Sequence, residues 1–374
     1  MQNEFSPLPD SVREADATGV VTPVYASATL PAVPSTSPSP QYADRSTGLI
    51  FFGVVQIILG LLAGLMVPFV ALGAFLTRLG PGTSTGPRQF LSGIATYTFL
   101  AILLLALGIG SVQMKRWARA LTVVISWYWM ITGILITVLL TAVLPVTMRS
   151  ALEAQHRATG QSAGLSASVM AVILTIMIVF VAMFLIAVPI AFVIFYSRQD
   201  VAETCRRRDP VSRWTDRVPL PVLGASVVFT AQALYMINAG LSTPVVPFFG
   251  RYLTGIAGFT GLMMFASLDI FLAIAFFQLK TAAWWLAIVT SPVRLLSLAL
   301  TYARADLMQA YSKMGFSEQQ MQVMHSSPFL RGHVILWWSL ISAVLFFGYL
   351  IWLKRYFNTP ITSRPPIALP EQAT

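Results

Sequence analysis

Two charged residues stand in apolar runs where a charge is costly. Asp269 sits in Ala266-Ser-Leu-Asp-Ile-Phe271, and Arg294 sits in Ser291-Pro-Val-Arg-Leu295. Lys280 lies between them, eleven residues after the first and fourteen before the second. If both runs are helices meeting at a turn near Lys280, a rise of about 1.5 Å per residue sets the charges about 16 and 21 Å from it. An arginine side chain spans that offset, so an Asp269–Arg294 ion pair across a helical hairpin is expected. An unpaired charge at mid-bilayer costs about 3 kcal/mol or more, and such residues often mark solute or ion sites. A buried pair can equally fix how two helices dock.

The neighbours follow from helical spacing. Gly255, Gly258, Leu262, Ala266, Asp269 and Ala273 share one face of the first run, and most of them are small. Small faces suit close helix contacts in membranes. Ala287, Thr290, Ser291, Arg294, Ser297 and Thr301 form a polar stripe on the second run. The candidate intramembrane polar site is therefore Asp269, Arg294, Thr290, Ser291 and Ser297. Pro292 lacks a backbone donor, which frees the carbonyl of Ile288 near Arg294.

Other chemistry has little material. One cysteine, Cys205, excludes an intrachain disulfide, and three histidines (His156, His325, His333) offer little to a transition metal. No HExxH, CxxC or GxxxxGK[ST] string occurs. No catalytic residue, cofactor or metal is expected, and the chain is read as non-enzymatic. Cys205 stands beside Arg206, Arg207 and Arg208, a setting that lowers a thiol pKa, so acylation or redox chemistry is considered there.

The elements that position these residues follow from composition. Of 374 residues, 56% are hydrophobic and 10% charged, and the mean hydropathy is +0.73. Soluble domains carry about 25% charged residues. The expected fold is therefore an all-α integral membrane protein, since lipid offers no partner to an open backbone. Eight runs are long enough to cross, near 48–76, 90–112, 117–144, 168–196, 219–239, 256–279, 282–302 and 333–353. The fifth carries Ser226, Thr230, Gln232 and Asn238 and is expected inside the bundle. Gly60 and Gly64 form a GxxxG that favours close packing within the chain. Pro68 and Pro189 are expected to bend their spans.

The chain reads as a duplication. Leu91-Ser-Gly-Ile-Ala-Thr-Tyr-Thr98 matches Leu253-Thr-Gly-Ile-Ala-Gly-Phe-Thr260 at five of eight positions. Gln113-Met-Lys115 matches Gln278-Leu-Lys280, and a tryptophan follows each. Long loops are expected beyond the third span of each half, beginning near Arg149 and Arg304. Four spans per half make the repeats parallel, about an axis along the membrane normal. The positions matching Asp269 and Arg294, around Leu104 and Ser126-Trp-Tyr-Trp129, carry no charge.

The expected organisation is a disordered, Pro/Ser/Thr-rich tail (1–47), a first repeat (48–196), a basic linker (197–218), a second repeat (219–356) and a C-terminal tail (357–374). The first tail holds seven prolines and twelve Ser/Thr. It has no basic start and short apolar core, so the first span should serve as its own insertion signal. Ser317-Glu-Gln-Gln320 reads as a capping box, and Met314, Met321 and Met324 suggest an amphipathic helix there.

Lysine and arginine set orientation. With the N-terminus cytoplasmic, fifteen fall on inside segments and eight outside, Arg294 being within a span. Both termini are therefore placed in the cytoplasm of a bacterial inner membrane. Trp117, Trp284, Trp285 and Trp352 mark the headgroup level. The net charge of +10 reads as attraction to anionic lipid headgroups rather than to nucleic acid. Two functions follow: a transporter- or channel-like protein with an intramembrane polar site, or a non-catalytic scaffold or assembly subunit whose Asp-Arg pair is structural. Neither a solute nor a protein partner is specified.

Overall fold

The computed structural model describes residues 42–79, 87–159, 167–306, 308, 312, 321 and 332–357. Most of the N-terminal tail, nearly all of the C-terminal tail and the capping box at 317–320 lie outside the described residues. So do Met314 and Met324, and Met321 is described only as helical.

The chain is mostly helical. The helices are α1 (Ser46–Leu79), α2 (Pro87–Val112), α3 (Arg116–Thr159), α4 (Ala167–Ala182), α5 (Val188–Tyr196), the linker helix α6 (Gln199–Arg208), α7 (Leu220–Ser242), α8 (Gly255–Phe277), α9 (Thr281–Arg304) and α10 (Gly332–Leu353). Eight stretches among the described residues are long and apolar enough to cross a membrane, with α4 and α5 forming one of them. Their limits fall within a few residues of the runs read from sequence, except that α10 qualifies only from Ser339. Helix α3 continues to Thr159, so Arg149 and Arg157 are helical where a loop was expected.

The α4–α5 span contains a π-turn, Met183–Ala187, just before Pro189. Proline cannot donate to the carbonyl four residues back, and the helix widens there instead. That carbonyl, Leu185 O, lies against Gly133 of α3; a Cβ on Gly133 would stand 2.2 Å from it. Glycines also bring α1 onto α2. A Cβ on Gly53 would lie 3.0 Å from Gly108 O, and one on Gly60 would lie 2.9 Å from Leu105 Cγ. The GxxxG is thus turned inward.

Two turns repeat one geometry. Met114 (φ 56°) and Leu279 (φ 55°) both adopt the left-handed conformation that ends a helix. The Met114 and Lys115 N–H groups donate to Ser111 O and Gly110 O, and the Leu279 and Lys280 N–H groups donate to Phe276 O and Ala275 O. These are the residues of the Gln-x-Lys sequence match.

A β-hairpin joins α7 to α8, which an all-α reading does not contain. Strand β1 (Val245–Phe248) pairs antiparallel with β2 (Arg251–Thr254), with Val246 opposite Leu253. Phe249 (φ 41°) and Gly250 (φ 94°) make the two-residue turn. Leu253 and Thr254 of the matched motif are therefore in a strand, whereas Leu91 and Ser92 are already helical.

Between α5 and α7 the linker is folded. Helix α6 packs on the starts of α1 and α3. The Arg45 N–H donates to Thr204 Oγ1 at 3.1 Å, and Arg116 pairs with Asp216 at 2.9 Å. Asp209 is buried, pairs with Arg213 at 3.1 Å and accepts from the Arg116 N–H. Two apolar cores result. One gathers Leu49, Phe192, Tyr196, Val201 and Cys205; the other gathers Val222, Phe229, Leu272, Phe276, Trp284 and Leu350.

Candidate intramembrane polar site

Asp269 and Arg294 meet as their spacing predicts. Arg294 Nη1 donates to Asp269 Oδ1 at 2.7 Å, and Nη2 reaches Phe265 O at 3.4 Å. The guanidinium lies 5.0 Å from the centre of the Phe265 ring. Asp269 has no exposed surface, and the Arg294 side chain is 21% exposed. Asp269 Oδ2 and Arg294 Nε have no hydrogen-bond partner among the described residues. The face read for α8 is the buried one, with Gly258, Leu262, Ala266, Asp269 and Ala273 inside; Gly255 is exposed. The backbone acceptor for Arg294 comes from α8, at Phe265, and not from Ile288 of its own helix.

The other three candidates do not converge on the pair. The Thr290 hydroxyl donates to Leu286 O and the Ser291 hydroxyl to Ala287 O, both at 2.8 Å within α9. Ser297 serves the hairpin: its Oγ accepts from the Phe249 N–H at 3.0 Å and lies 3.4 Å from Pro247 O. One helical turn on, Thr301 Oγ1 accepts from the Gly250 N–H at 3.0 Å. The two hydroxyls thus hold both N–H groups of the turn. The lower part of the polar stripe on α9, Ser297 and Thr301, is explained by this docking. The signal in the sequence was the four-residue spacing of Ser297 and Thr301, without its target.

Further polar contacts join helices elsewhere. Asn238 Nδ2 donates to Thr96 Oγ1 at 2.9 Å and links α7 to α2, as expected of a fifth span inside the bundle. Gln56 Nε2 donates to Thr122 Oγ1 at 3.2 Å. Ser111 and Tyr196 share a hydroxyl–hydroxyl bond, and Ser111 also reaches Leu49 O. Trp284 is buried and donates to Leu350 O at 2.7 Å, so it clamps α9 to α10 rather than facing headgroups. Trp285 and Trp352 are exposed, and Lys354 and Arg355 lie over the rings at this end.

In the first four spans, Leu104 and Trp129 stand at the same distances from Met114 as Asp269 and Arg294 do from Leu279. Leu104 is buried, and Trp129 meets Phe184 edge-on at 5.4 Å.

Cys205 stands in a setting that does not suit acylation or redox chemistry. It is 1% exposed, and burial pushes its thiol up to about 11, outweighing Arg119 and Arg116. Low exposure and a raised pKa make an inert, structural cysteine. No group of three or more metal-ligating side chains occurs among the described residues. An absence of Gly-x-Ser-x-Gly, expected alongside the other missing motifs, does not hold: Gly82–Gly86 and Gly160–Gly164 both fit the pattern, and both lie outside the described residues. The hydrolase turn of that pattern follows a strand; here the preceding elements are the helices α1 and α3.

No known protein family, curated protein or solved structure matches the chain.

Proposed function

We propose that this multi-pass membrane protein is a non-enzymatic scaffold or assembly subunit, in which Asp269 and Arg294 brace the helices rather than receive a solute. The observation that carries this reading is the complete burial of Asp269 beside α9 hydroxyls already committed to their own helix or to the hairpin. A solute site needs polar groups turned toward an open path. The pair, the Ser297–Thr301 clamp and the folded linker instead fasten elements of one chain to one another. The outer faces are apolar, including Ile176, Phe180, Val293 and Leu296, and suit lipid or the helices of a partner.

The architecture proposed for this role is two parallel four-helix repeats. The shared turns at Met114 and Leu279 support it, as do the matched motifs around them. The excess of lysine and arginine on the linker side supports cytoplasmic termini in a bacterial inner membrane.

One observation favours a transporter- or channel-like reading. Asp269 Oδ2 and Arg294 Nε lack partners among the described residues, and Arg294 retains some exposure, so the pair has capacity for a polar solute. Cross-linking the full chain in native membranes, followed by extraction in mild detergent, separates the readings. A defined membrane partner retained at constant stoichiometry supports the scaffold. Recovery of the bare chain in every extraction contradicts it.

A further inference from the structure

Where the linker meets the start of α3, a cavity of about 280 Å³ is lined by Arg116, Arg119, Cys205, Arg206, Thr215 and Asp216 among others. Its charge is unbalanced. Asp216 is the lone carboxylate of the lining, and it is already engaged by Arg116 Nη1 at 2.9 Å and by the Arg213 N–H at 2.9 Å. Arg119 spends Nε on Tyr196 O at 3.1 Å and has no carboxylate partner among the described residues. Arg206 is exposed at the rim and likewise has none. Thr215 is 3% exposed, yet its Oγ1 finds no hydrogen-bond partner among the described residues. A buried hydroxyl left without a partner is costly, and three guanidinium groups share a single carboxylate in this lining. One ligand chemistry answers both deficits. A tetrahedral dianion or monoanion accepts from several guanidinium N–H groups and from a hydroxyl at once.

We propose that this cavity binds a phosphate group. Arg119 and Arg206 supply the charge, Arg116 is held ready by Asp216, and the Thr215 hydroxyl donates to a phosphate oxygen. The cavity lies at the end of the α3 span, beside exposed Trp214 and Leu220. That level suits the phosphate of an anionic lipid headgroup, and the same groups suit a free phosphate. Occupancy would tie the linker to α3, so binding should stabilise the fold.

The test uses the full chain and reads thermal unfolding. In neutral detergent, sodium phosphate is titrated against sodium chloride at matched ionic strength. In nanodiscs, phosphatidylcholine alone is compared with phosphatidylcholine plus phosphatidylglycerol. Stabilisation by phosphate in detergent identifies the free anion; stabilisation in the phosphatidylglycerol discs alone identifies the headgroup. In either arm, Arg206→Gln should raise the half-saturating concentration about tenfold, the loss of one charge-assisted bond. Thr215→Val should weaken binding several-fold, and Arg207→Gln, paired with Glu203 outside the cavity, should leave it unchanged. Arg206 has no partner to lose, so its variant should fold. No stabilisation in either arm, or equal weakening by the Arg206 and Arg207 variants, overturns the proposal.

Discussion

Asp269 and Arg294 are joined through one oxygen only: Oδ1 accepts from Nη1 at 2.7 Å, while Oδ2 has no partner among the described residues. The pair bridges α8 and α9 near the middle of each helix, and the hydroxyls of Thr290, Ser291, Ser297 and Thr301 are bonded elsewhere. Removing one partner of such a pair leaves a buried charge without compensation, whereas removing both can be nearly neutral. The same contact can therefore be strongly felt on mutation and still contribute little net stability.

The hairpin depends on α9. Ser297 and Thr301 receive the N–H groups of Phe249 and Gly250, which sit in a turn with positive φ at both residues. Ser297→Ala and Thr301→Val should each destabilise the protein by about 1–2 kcal/mol, leaving a turn N–H unsatisfied. Thermal unfolding measures the loss, and limited proteolysis should show earlier cleavage between α7 and α8. Unchanged cleavage in the double variant would show that the turn does not rely on the hydroxyls.

Gly258 marks the closest approach of the hairpin to α8. A Cβ there would stand 2.1 Å from Pro244 O and 2.8 Å from Leu253 O. Both obstacles are backbone and cannot rotate away. Gly258→Ala should cost about 2–3 kcal/mol, while Gly348→Ala, with open space around it, should be neutral or slightly stabilising. Equal unfolding temperatures for the two variants would contradict this packing.

The spans and the ion pair were legible in the sequence because lipid leaves few options. Apolar runs must be helices, and residues at known offsets from Lys280 fall at calculable depth. The hairpin was not legible. Phe249–Gly250 is not an Asn-Gly or Asp-Gly turn signal, and four-residue strands within 245–254 merge with flanking apolar sequence. The fold of the basic linker was not legible either, because its order comes from pairs distant in sequence, such as Arg116 with Asp216. Burial of Cys205 has the same origin. Its arginine neighbours in sequence allowed a reactive thiol, but the fold buries it in a core with Leu49, Tyr196 and Val201.

Cys205 should therefore resist modification. With its thiol pushed up to about 11 and nearly no exposure, a maleimide at pH 7.5 should label it only after unfolding. Its folded pKa lies above the unfolded one, so its contribution to stability is present below about pH 8.5 and is lost as pH rises further. Rapid stoichiometric labelling of the folded chain would overturn this.

Acid acts on the linker through Asp209. The Arg213 side chain and the Arg116 N–H hold its carboxyl below the usual carboxylate range, against the effect of burial. A depressed folded pKa stabilises the protein above the ordinary value of about 3.9 and ceases to do so as pH falls. Asp209→Asn should lower stability at pH 7 and flatten the decline between about pH 5 and 3. Parallel acid curves for variant and wild type would exclude this role.

The most direct test of the bracing role is a double-mutant cycle on Asp269→Asn and Arg294→Gln, read by thermal unfolding in detergent. The account predicts that each single change costs about 3–5 kcal/mol and that the double variant recovers most of it. Single variants that are neutral or more stable than wild type would contradict it, and would mark the two charges as retained for a solute instead.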